Sequence, residues 1–233
     1  MFRKSQRFYD AVYSWKDYKT EADRLDRLIR ERNPSARTLL DVACGTGKHL
    51  ELLRGGYEVE GVDLDPEMLG VARGRLPDVP LHEGDMATFD LGKRFDAVTC
   101  LFSSIAYTRT SEGLRRAVAT MARHLAPGGV LVVEPFFTPE AWRDGEVFGL
   151  WVDEPDLKIA RVNLNARRDR LAIMDFHYLV GTPEGVEHFT ELHEAALFTH
   201  EEHLEAFRDA GLEPEHDPEG LMGRGLYLAV APR

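Results

Sequence analysis

Short apolar runs alternate with amphipathic stretches over the first part of the chain. The apolar runs at 38–42, 57–62 and 95–101 have the length and composition of buried parallel strands. Between residues 111 and 125 the apolar positions recur with helical spacing, and Pro127 follows that stretch. This alternation predicts an α/β fold in which the carboxyl ends of parallel strands meet at one edge, where such sheets bind their ligands.

Residues 137–198 lack this rhythm. They contain three stretches that alternate between apolar and polar residues and are separated by polar turns, at 157–165, 171–180 and 186–198. Alternation with a period of two is typical of half-buried antiparallel strands, so we expect an antiparallel β meander inserted after the fifth strand. The apolar runs at 212–215 and 226–230 would then complete the first sheet, with an antiparallel strand at its edge.

Capping residues indicate where helices begin. Thr20 is a candidate cap for a helix over 21–32. Asp65 followed by proline has the sequence of a second helix start. Thr199 with Glu202 three residues later is a capping-box sequence and predicts a third.

The pattern predicts one domain formed by residues 1–136 and 199–233, with residues 137–198 as an insertion that covers its substrate. The N-terminal residues of that domain are rich in aromatic side chains. An amphipathic helix that packs on the core explains most of them, but Tyr13 and Tyr18 less well. These two tyrosines either close over a ligand as a lid or simply pack on the core.

The stretch 38–47 constrains the function most. An apolar strand is followed there by Gly45 and Gly47, and glycines before a helix start let an anionic ligand approach the backbone. The next strand ends in Asp63, 18 residues after Gly45, where nucleotide sites place an acid for ribose hydroxyls. Leu50 stands where a dinucleotide site has its third glycine. S-adenosylmethionine, which has a ribose but no pyrophosphate, therefore fits better than a dinucleotide.

Residues 41–47, with the sequence DVACGTG, resemble the first motif of class I S-adenosylmethionine-dependent methyltransferases. Residues 84–86 resemble that family's adenine-reading loop, and 95–98 and 125–131 its fourth strand and the approach to its fifth. The resemblance implies a Rossmann-like seven-stranded sheet and S-adenosylmethionine as cofactor. The expected cofactor contacts are Tyr13, Tyr18, Ala43, Gly45, Gly47, Asp63, Leu64, Asp85, Met86 and Leu101.

Net charge and composition limit which binding partners are expected. The formal net charge of −11 argues against a broad nucleic-acid surface. No apolar run approaches the ~20 residues that span a bilayer, and no signal peptide precedes the first expected helix. We therefore expect a cytoplasmic enzyme with a small-molecule substrate, without nucleic-acid or membrane partners, and with a homodimer as a possible assembly.

Methyl transfer from a sulfonium is an in-line displacement, so the enzyme mainly aligns the nucleophile and excludes water. A polar and aromatic stretch, residues 102–107, follows the fourth strand at the place where the methyl group is expected. Tyr107 is the candidate for orienting the nucleophile. The alternative is that its ring packs beneath the meander.

A metal site is not expected. His200 and His203 have the spacing of one helical face, and His188 and His193 lie on a nearby expected strand. No carboxylate or cysteine pattern completes a ligand set around them.

Arginines in the second half of the chain say more about a ligand than its histidines do. Residues 167–170 carry three arginines that suit a solvated turn. Arg224 stands between two glycines, where a planar guanidinium suits a phosphate or a carboxylate.

Six motifs taken together are similar to the nucleotide-sugar N,N-dimethyltransferases of desosamine and mycaminose biosynthesis. They lie at 16–18, 41–47, 84–86, 102–104, 133–135 and 223–226. The resemblance implies N-methylation of a dTDP-linked 3-amino-deoxysugar, with Arg161 and Arg224 at the diphosphate and Tyr13, Glu134 and Phe137 near the substrate. An aromatic pair that is tryptophan-rich in those enzymes is Phe136-Phe137 here.

Two other functions remain open. The acceptor could be another small molecule, such as an amino acid, a polyamine or a hydroxylated metabolite. The chain could also bind the cofactor without catalysis and use residues 137–198 as an interaction surface.

Overall fold

The computed structural model describes residues 4–233. Its helices are α1 (Tyr9–Val12), α2 (Tyr18–Arg32), α3 (Lys48–Leu53), α4 (Pro66–Arg75), α5 (Ser111–Arg123) and α6 (His200–Asp209), with 3-10 turns at Gln6–Phe8 and Ser104–Thr108. Its strands are β1 (Thr38–Val42), β2 (Glu58–Asp63), β3 (Leu81–Glu83), β4 (Phe95–Cys100), β5 (Leu125–Val133), β6 (Val147–Glu154), β7 (Leu157–Arg168), β8 (Leu171–Thr182), β9 (Gly185–Ala196), β10 (Glu215–Asp217) and β11 (Leu226–Val230).

Seven strands form one sheet in the order β10-β11-β5-β4-β1-β2-β3. The strands β1 to β5 pair in parallel, and β11 joins β5 antiparallel. Leu25 of α2 and Leu50 of α3 are buried on one face of this sheet, and Leu114 of α5 and Phe207 of α6 on the other. The predicted Rossmann-like class is confirmed, and the carboxyl ends of β1, β2, β4 and β5 share one edge.

A four-stranded antiparallel sheet, in the order β6-β7-β8-β9, follows the fifth strand, as expected. Sequence reasoning missed β6. Phe148, Leu150 and Val152 alternate there with Val147 and Trp151, so both faces of the strand are apolar and the period-two signal is absent.

Two expected boundaries also differ. Helix α2 begins at Tyr18, and its cap is Asp17, whose carboxylate accepts the Thr20 N–H at 3.0 Å. Residues 125–131, expected as the approach to the fifth strand, already belong to β5, because Leu125 pairs with Phe95 before an irregularity in the register.

The N-terminal segment, residues 4–13, contacts both sheets. Phe8 and Val12 pack against the inner face of the antiparallel sheet, in a cluster that includes Phe176. Asp10 accepts the Thr46 hydroxyl hydrogen bond at 2.8 Å, beside the glycine turn after β1. The segment therefore joins the insertion to the strand ends of the parallel sheet.

Among the described residues, no helix combines the length and the apolar character needed to cross a membrane.

Helix α6 begins with the expected capping box. The Thr199 hydroxyl accepts the Glu202 N–H at 3.2 Å, and the Glu202 carboxylate accepts the Thr199 N–H at 2.9 Å. We expect Thr199→Ala to lower the free energy of unfolding by about 1 kcal/mol, because one helix N–H loses its partner. Urea denaturation followed by circular dichroism measures this loss. Thr199→Ser, which keeps the hydroxyl, is the matched control, and equal stability of the alanine and serine variants would contradict the assignment.

Candidate active site at the carboxyl ends of the parallel strands

The chain leaves β1 and β4 through left-handed backbone at residues other than glycine. Ala43 follows β1 with φ 61°, and Phe102 and Ser103 follow β4 with φ 51° and 61°. Such conformations cost on the order of 1–3 kcal/mol each and cluster where function requires them. The strained turns lie at the edge where the sequence places the ligand.

Asp63 at the end of β2 is fixed by the neighbouring backbone. Its Oδ2 accepts the Gly45 N–H at 2.7 Å and its Oδ1 accepts the Asp65 N–H at 2.9 Å. Burial raises the pKa of Asp63 above its ordinary value, while the two N–H groups oppose that rise. Each carboxylate oxygen keeps a lone pair for a further donor, as ribose hydroxyls would require.

A cavity of about 210 Å³ opens beside Asp63. Its lining includes Ala43, Gly45, Asp63, Leu64, Asp85, Met86 and Tyr107 from the expected set. A smaller cavity of about 40 Å³ shares Ala43 and Gly45 and adds Tyr18 and Leu101. The structure thus brings together eight predicted cofactor residues, together with Tyr107.

Two predicted cofactor residues lie elsewhere. Gly47 lines neither cavity. Its backbone is left-handed, with φ 77°, and a Cβ there would stand 3.0 Å from Leu76 Cδ1, so the turn and its packing on α4 both favour glycine. Tyr13 accepts a 3.3 Å hydrogen bond from Arg161 and packs its ring edge-on against Phe102, with centroids 5.1 Å apart. Tyr13 therefore lies on the side of the expected methyl acceptor.

Tyr9 lines both cavities, but sequence reasoning did not select it. Its ring lies 4.6 Å from that of Tyr13, and burial raises its pKa well above the ordinary value. One signal was available, because Tyr9 and Tyr13 are four residues apart and therefore share one side of a helical turn.

Glu134, directly after β5, fixes the strained turn after β4. Its Oε2 accepts the Phe102 N–H at 2.6 Å, and its Oε1 has no hydrogen-bond partner within residues 4–233. The side chain is fully buried, and burial raises the pKa of its carboxyl. The positive charges of Lys16 and Arg224 oppose that rise.

Arg161 and Trp142 present further buried donors on the acceptor side. Arg161 Nε and Trp142 Nε1 have no hydrogen-bond partner in the described chain. The Trp142 ring lies 6.1 Å from that of Phe137. Buried donors without partners are costly, so these groups are suited to a polar ligand. Sequence reasoning missed Trp142, which lies in the irregular segment between the two sheets.

Arg224 is partly buried at the same edge. Its Nη1 donates to the Ser103 hydroxyl at 2.9 Å, and its guanidinium lies 5.0 Å from the Phe137 ring centroid. No carboxylate of residues 4–233 forms an ion pair with it, and burial lowers its pKa. The guanidinium thus stands among aromatic rings with donors available for an anion.

Tyr107 closes the cavity below the antiparallel sheet. Its hydroxyl lies 2.7 Å from His193 Nδ1, and burial raises its pKa above the ordinary value. The phenol therefore stays protonated at neutral pH. The ring lines the cavity and also packs beneath the meander. Its role in orienting the nucleophile stays a prediction.

Other basic groups that the sequence singled out have partners within the protein. Arg168 pairs with Glu194, and Arg170 pairs with Glu202 at the start of α6. His200 Nδ1 lies 2.8 Å from the Tyr227 hydroxyl. In the part of the chain that the structure describes, no three His, Cys, Asp or Glu side chains are arranged to hold a metal ion.

Residues 39–129 match the family described as a methyltransferase domain. The chain is 45% identical to the dTDP-3-amino-3,4,6-trideoxy-alpha-D-glucopyranose N,N-dimethyltransferase of Streptomyces venezuelae, over 95% of each chain. It is 43% identical to the dTDP-4-amino-2,3,4,6-tetradeoxy-D-glucose N,N-dimethyltransferase of Saccharopolyspora spinosa, over 95% of this chain and 90% of that one.

Among solved structures, the chain resembles S-adenosylmethionine-bound CalS10, an amino pentose methyltransferase from Micromonospora echinaspora involved in calicheamicin biosynthesis. The TM-score is 0.88 at 44% identity, with 99% of this chain and 97% of that chain covered. These likenesses identify S-adenosylmethionine as the cofactor that the site has to hold.

The residues at the strand ends suit this cofactor. Asp63 has free lone pairs for ribose hydroxyls, and Ala43 and Gly45 line the cavity beside it. Asp85 Oδ1 accepts the Ala87 N–H at 2.8 Å, which holds the loop next to Met86 where adenine is expected. These individual contacts stay predictions.

We expect Asp63→Asn to weaken S-adenosylmethionine binding by about 1–3 kcal/mol, because an amide replaces a charged acceptor of hydroxyl hydrogen bonds. Titration calorimetry with the cofactor measures the change. Glu58→Gln, the same chemical change at the exposed start of β2, is the control and should bind as wild type. Unchanged affinity in a folded Asp63→Asn protein would remove Asp63 from the site.

Proposed function

Since this chain belongs to the S-adenosylmethionine-dependent N,N-dimethyltransferase family of these relatives, we propose that it methylates the amine of a dTDP-linked amino-deoxysugar. In this proposal Arg224 and Arg161 hold the diphosphate, and Glu134 and Phe137 lie beside the sugar. The amine points toward the carboxyl ends of β1 and β4, where the cofactor is expected.

Arg224 carries the proposal. It is a partly buried cation with no ion-pair partner in the described residues, in a protein whose formal net charge is −11. An acidic enzyme that places a guanidinium among aromatic rings has a site for one anionic group rather than a broad basic surface. A diphosphate joined to an uncharged sugar and base has that distribution of charge.

The antiparallel sheet, in the insertion of residues 137–198, supplies the second cation. Arg161 projects from the inner face of β7 toward Tyr13, and its guanidinium lies 4.7 Å from the Phe176 ring centroid. Its Nε has no partner within residues 4–233. An anion placed between Arg161 and Arg224 would satisfy donors from both sheets, which makes the insertion a substrate cover.

Bound S-adenosylmethionine supplies an electrophilic methyl group on a sulfonium. The residues of this chain have to place the amine in line with that methyl group and exclude water. The Tyr13 and Phe102 rings enclose the reaction space, and Glu134 keeps Phe102 in place. Tyr107 is the candidate that accepts an N–H of the amine, so that the nitrogen lone pair faces the methyl carbon.

The amine of the substrate could be at position 3 or at position 4 of the sugar. One acts on a 3-amino sugar and the other on a 4-amino sugar, and the chain is almost equally similar to both. Another small acceptor remains the alternative. An acceptor without phosphate would leave the arginine pair without a ligand.

We further propose that the protein works in the cytoplasm as a homodimer and does not bind nucleic acid. Two copies of an acidic chain repel each other unless they meet through a surface with few charges. The outer face of the antiparallel sheet exposes a patch of large apolar side chains, Trp151, Val162, Leu164, Leu179 and Leu192, around the charged Asp175, and we propose this patch as the contact surface.

The substrate proposal predicts which acceptors gain mass. We expect purified protein and S-adenosylmethionine to add one or two methyl groups to dTDP-3-amino or dTDP-4-amino sugars, measured by mass spectrometry. Free amino sugars, amino acids and polyamines should react far more slowly, because they lack the diphosphate. Methylation confined to an acceptor without phosphate would overturn the proposal and leave a methyltransferase of another small molecule.

Arg224→Ala should lower kcat/KM for the sugar nucleotide by about 10²-fold, because a hydrogen bond to a charged group is worth about 1.5–3 kcal/mol. Both KM and kcat should suffer, since a remote anchor also aligns the amine. Arg168→Ala removes an exposed guanidinium that pairs with Glu194, and this control should retain wild-type kinetics. Wild-type kinetics of Arg224→Ala would contradict the diphosphate contact.

For the dimer, we expect light scattering after size-exclusion chromatography to give twice the mass of the chain. Trp151→Glu should give the monomer mass, because a charge on the uncovered sheet face opposes association. Leu52→Glu on α3 places the same charge on another exposed apolar position and should stay dimeric. A wild-type protein of monomer mass would refute this assembly.

A further inference from the structure

We propose that His193 is a positioning residue for methyl transfer, acting through Tyr107. It accepts the hydrogen bond of the Tyr107 hydroxyl and thereby turns the lone pairs of the phenol oxygen toward the acceptor amine. This inference rests on the proposed role of Tyr107 as the group that meets the amine.

The contact between the two side chains is built into both sheets. His193 lies on the inner face of β9 and is 1% exposed. Its Nδ1 lies 2.7 Å from the Tyr107 hydroxyl, which extends from the 3-10 turn after β4. The imidazole packs against the Phe176 ring of β8, with centroids 4.9 Å apart. The ring is therefore held in one orientation.

The orientation of the imidazole decides which group donates. His193 Nε2 faces the Glu191 carboxylate, with 3.8 Å between Nε2 and Oε2. A carboxylate attracts an N–H group and repels the lone pair of an unprotonated ring nitrogen. The neutral ring therefore carries its proton on Nε2. Nδ1 is then an acceptor, and Tyr107 has to donate to it. Burial lowers the pKa of His193, which favours the neutral ring.

Glu191 is itself fixed by the N-terminal segment. Its carboxylate accepts the Lys4 N–H at 2.7 Å, the Ser5 N–H at 3.0 Å and the Ser5 hydroxyl at 2.6 Å. These donors leave the carboxylate little freedom to rotate away from His193. The same segment continues to Tyr9 and Tyr13, which lie against the cavity and the acceptor side. Docking of the segment thus supports the orientation of Tyr107.

Other polar groups lie near His193 and Tyr107, but none replaces the hydrogen bond between them. Arg161 of β7 and Tyr178 of β8 lie on the same inner sheet face, and both influence the titration of His193 or Tyr107. Tyr13 of the N-terminal segment also contributes to the raised pKa of Tyr107. Within the described residues, the Tyr107 hydroxyl has His193 Nδ1 as its hydrogen-bond partner.

The direction of this hydrogen bond matters for an amine nucleophile. A phenol that is free to rotate can donate its proton into the amine lone pair, which then cannot attack. When the hydroxyl donates its hydrogen bond to His193, the phenol oxygen can only accept from the amine. The amine then presents its N–H to Tyr107 and its lone pair to the methyl group.

A double-mutant cycle tests the inference. We expect His193→Leu to lower kcat about tenfold with little change in KM for the sugar nucleotide, because alignment rather than binding is lost. In a Tyr107→Phe background the same substitution should have no further effect, since His193 acts through the hydroxyl. His193→Asn should recover most of the loss, because its amide oxygen can stand where Nδ1 stood.

Three outcomes would overturn it. Equal losses from His193→Leu with and without the Tyr107 hydroxyl would show a purely structural role. Failure of His193→Asn to recover activity, with the melting temperature of wild type, would remove the acceptor function. Wild-type kcat of Tyr107→Phe would remove Tyr107 from the reaction, while methylation of the sugar nucleotide by the wild type would still support the proposed function.

A second readout needs no substrate. In protein labelled with ¹⁵N-histidine, the signals missing from His193→Asn identify His193, and their chemical shifts give its tautomer. We expect a protonated Nε2 and an unprotonated Nδ1. A protonated Nδ1 would mean that the imidazole donates to Tyr107, and the inference would be wrong whatever the acceptor of the enzyme is.

Discussion

The hydrogen bond from the Phe102 backbone to buried Glu134 supports the rest of the acceptor side. At 2.6 Å, it links the end of β4 to the end of β5 and holds Phe102 and Ser103 in the left-handed region. Ser103 then donates to the Pro135 carbonyl at 2.7 Å and accepts from Arg224. The Phe102 ring in turn contacts Tyr13. Loss of this one bond would release the turn that arranges the cation and the aromatic wall.

Buried charge around this turn needs compensation. Lys16 is buried and pairs with Glu21, which also accepts from His49 at 2.9 Å. Its ammonium lies 4.7 Å from the Phe102 ring centroid. Taking such ions out of water costs several kcal/mol each, so the pairing has to be close to complete. Glu134 and Arg224 are less fully paired, which is the condition expected of groups that meet a ligand.

The N-terminal segment makes one site out of two sheets. Asp10 connects it to the glycine turn at Thr46, and Glu191 connects it to the antiparallel sheet through Ser5. Tyr13, further along, meets Arg161. The cofactor edge and the acceptor cover are therefore held by the same few residues. Loss of these contacts would therefore disturb both sides at once.

Local patterns in the sequence were sufficient for the class of fold and for the cofactor edge. The glycine turn, the acid at Asp63 and the capping box at Thr199 each depend on neighbours within a few residues or on strand order, so spacing predicts them. The resemblance to class I methyltransferases predicted Ala43, Gly45 and Asp85, which line the cavity. Strand β6 was not predicted, because both of its faces are apolar. Gly47 was expected to contact the cofactor, but it packs against α4.

Tertiary structure decided the acceptor side. Tyr107 meets His193 across 86 residues of sequence, Arg161 meets Tyr13 across 148, and Arg224 meets Ser103 across 121. No periodicity in a sequence encodes such distances, because they arise only when the antiparallel sheet folds over the strand ends. The sequence by itself determined the parallel sheet and the glycine turn after β1, and the folded chain determined which distant side chains meet beside that turn.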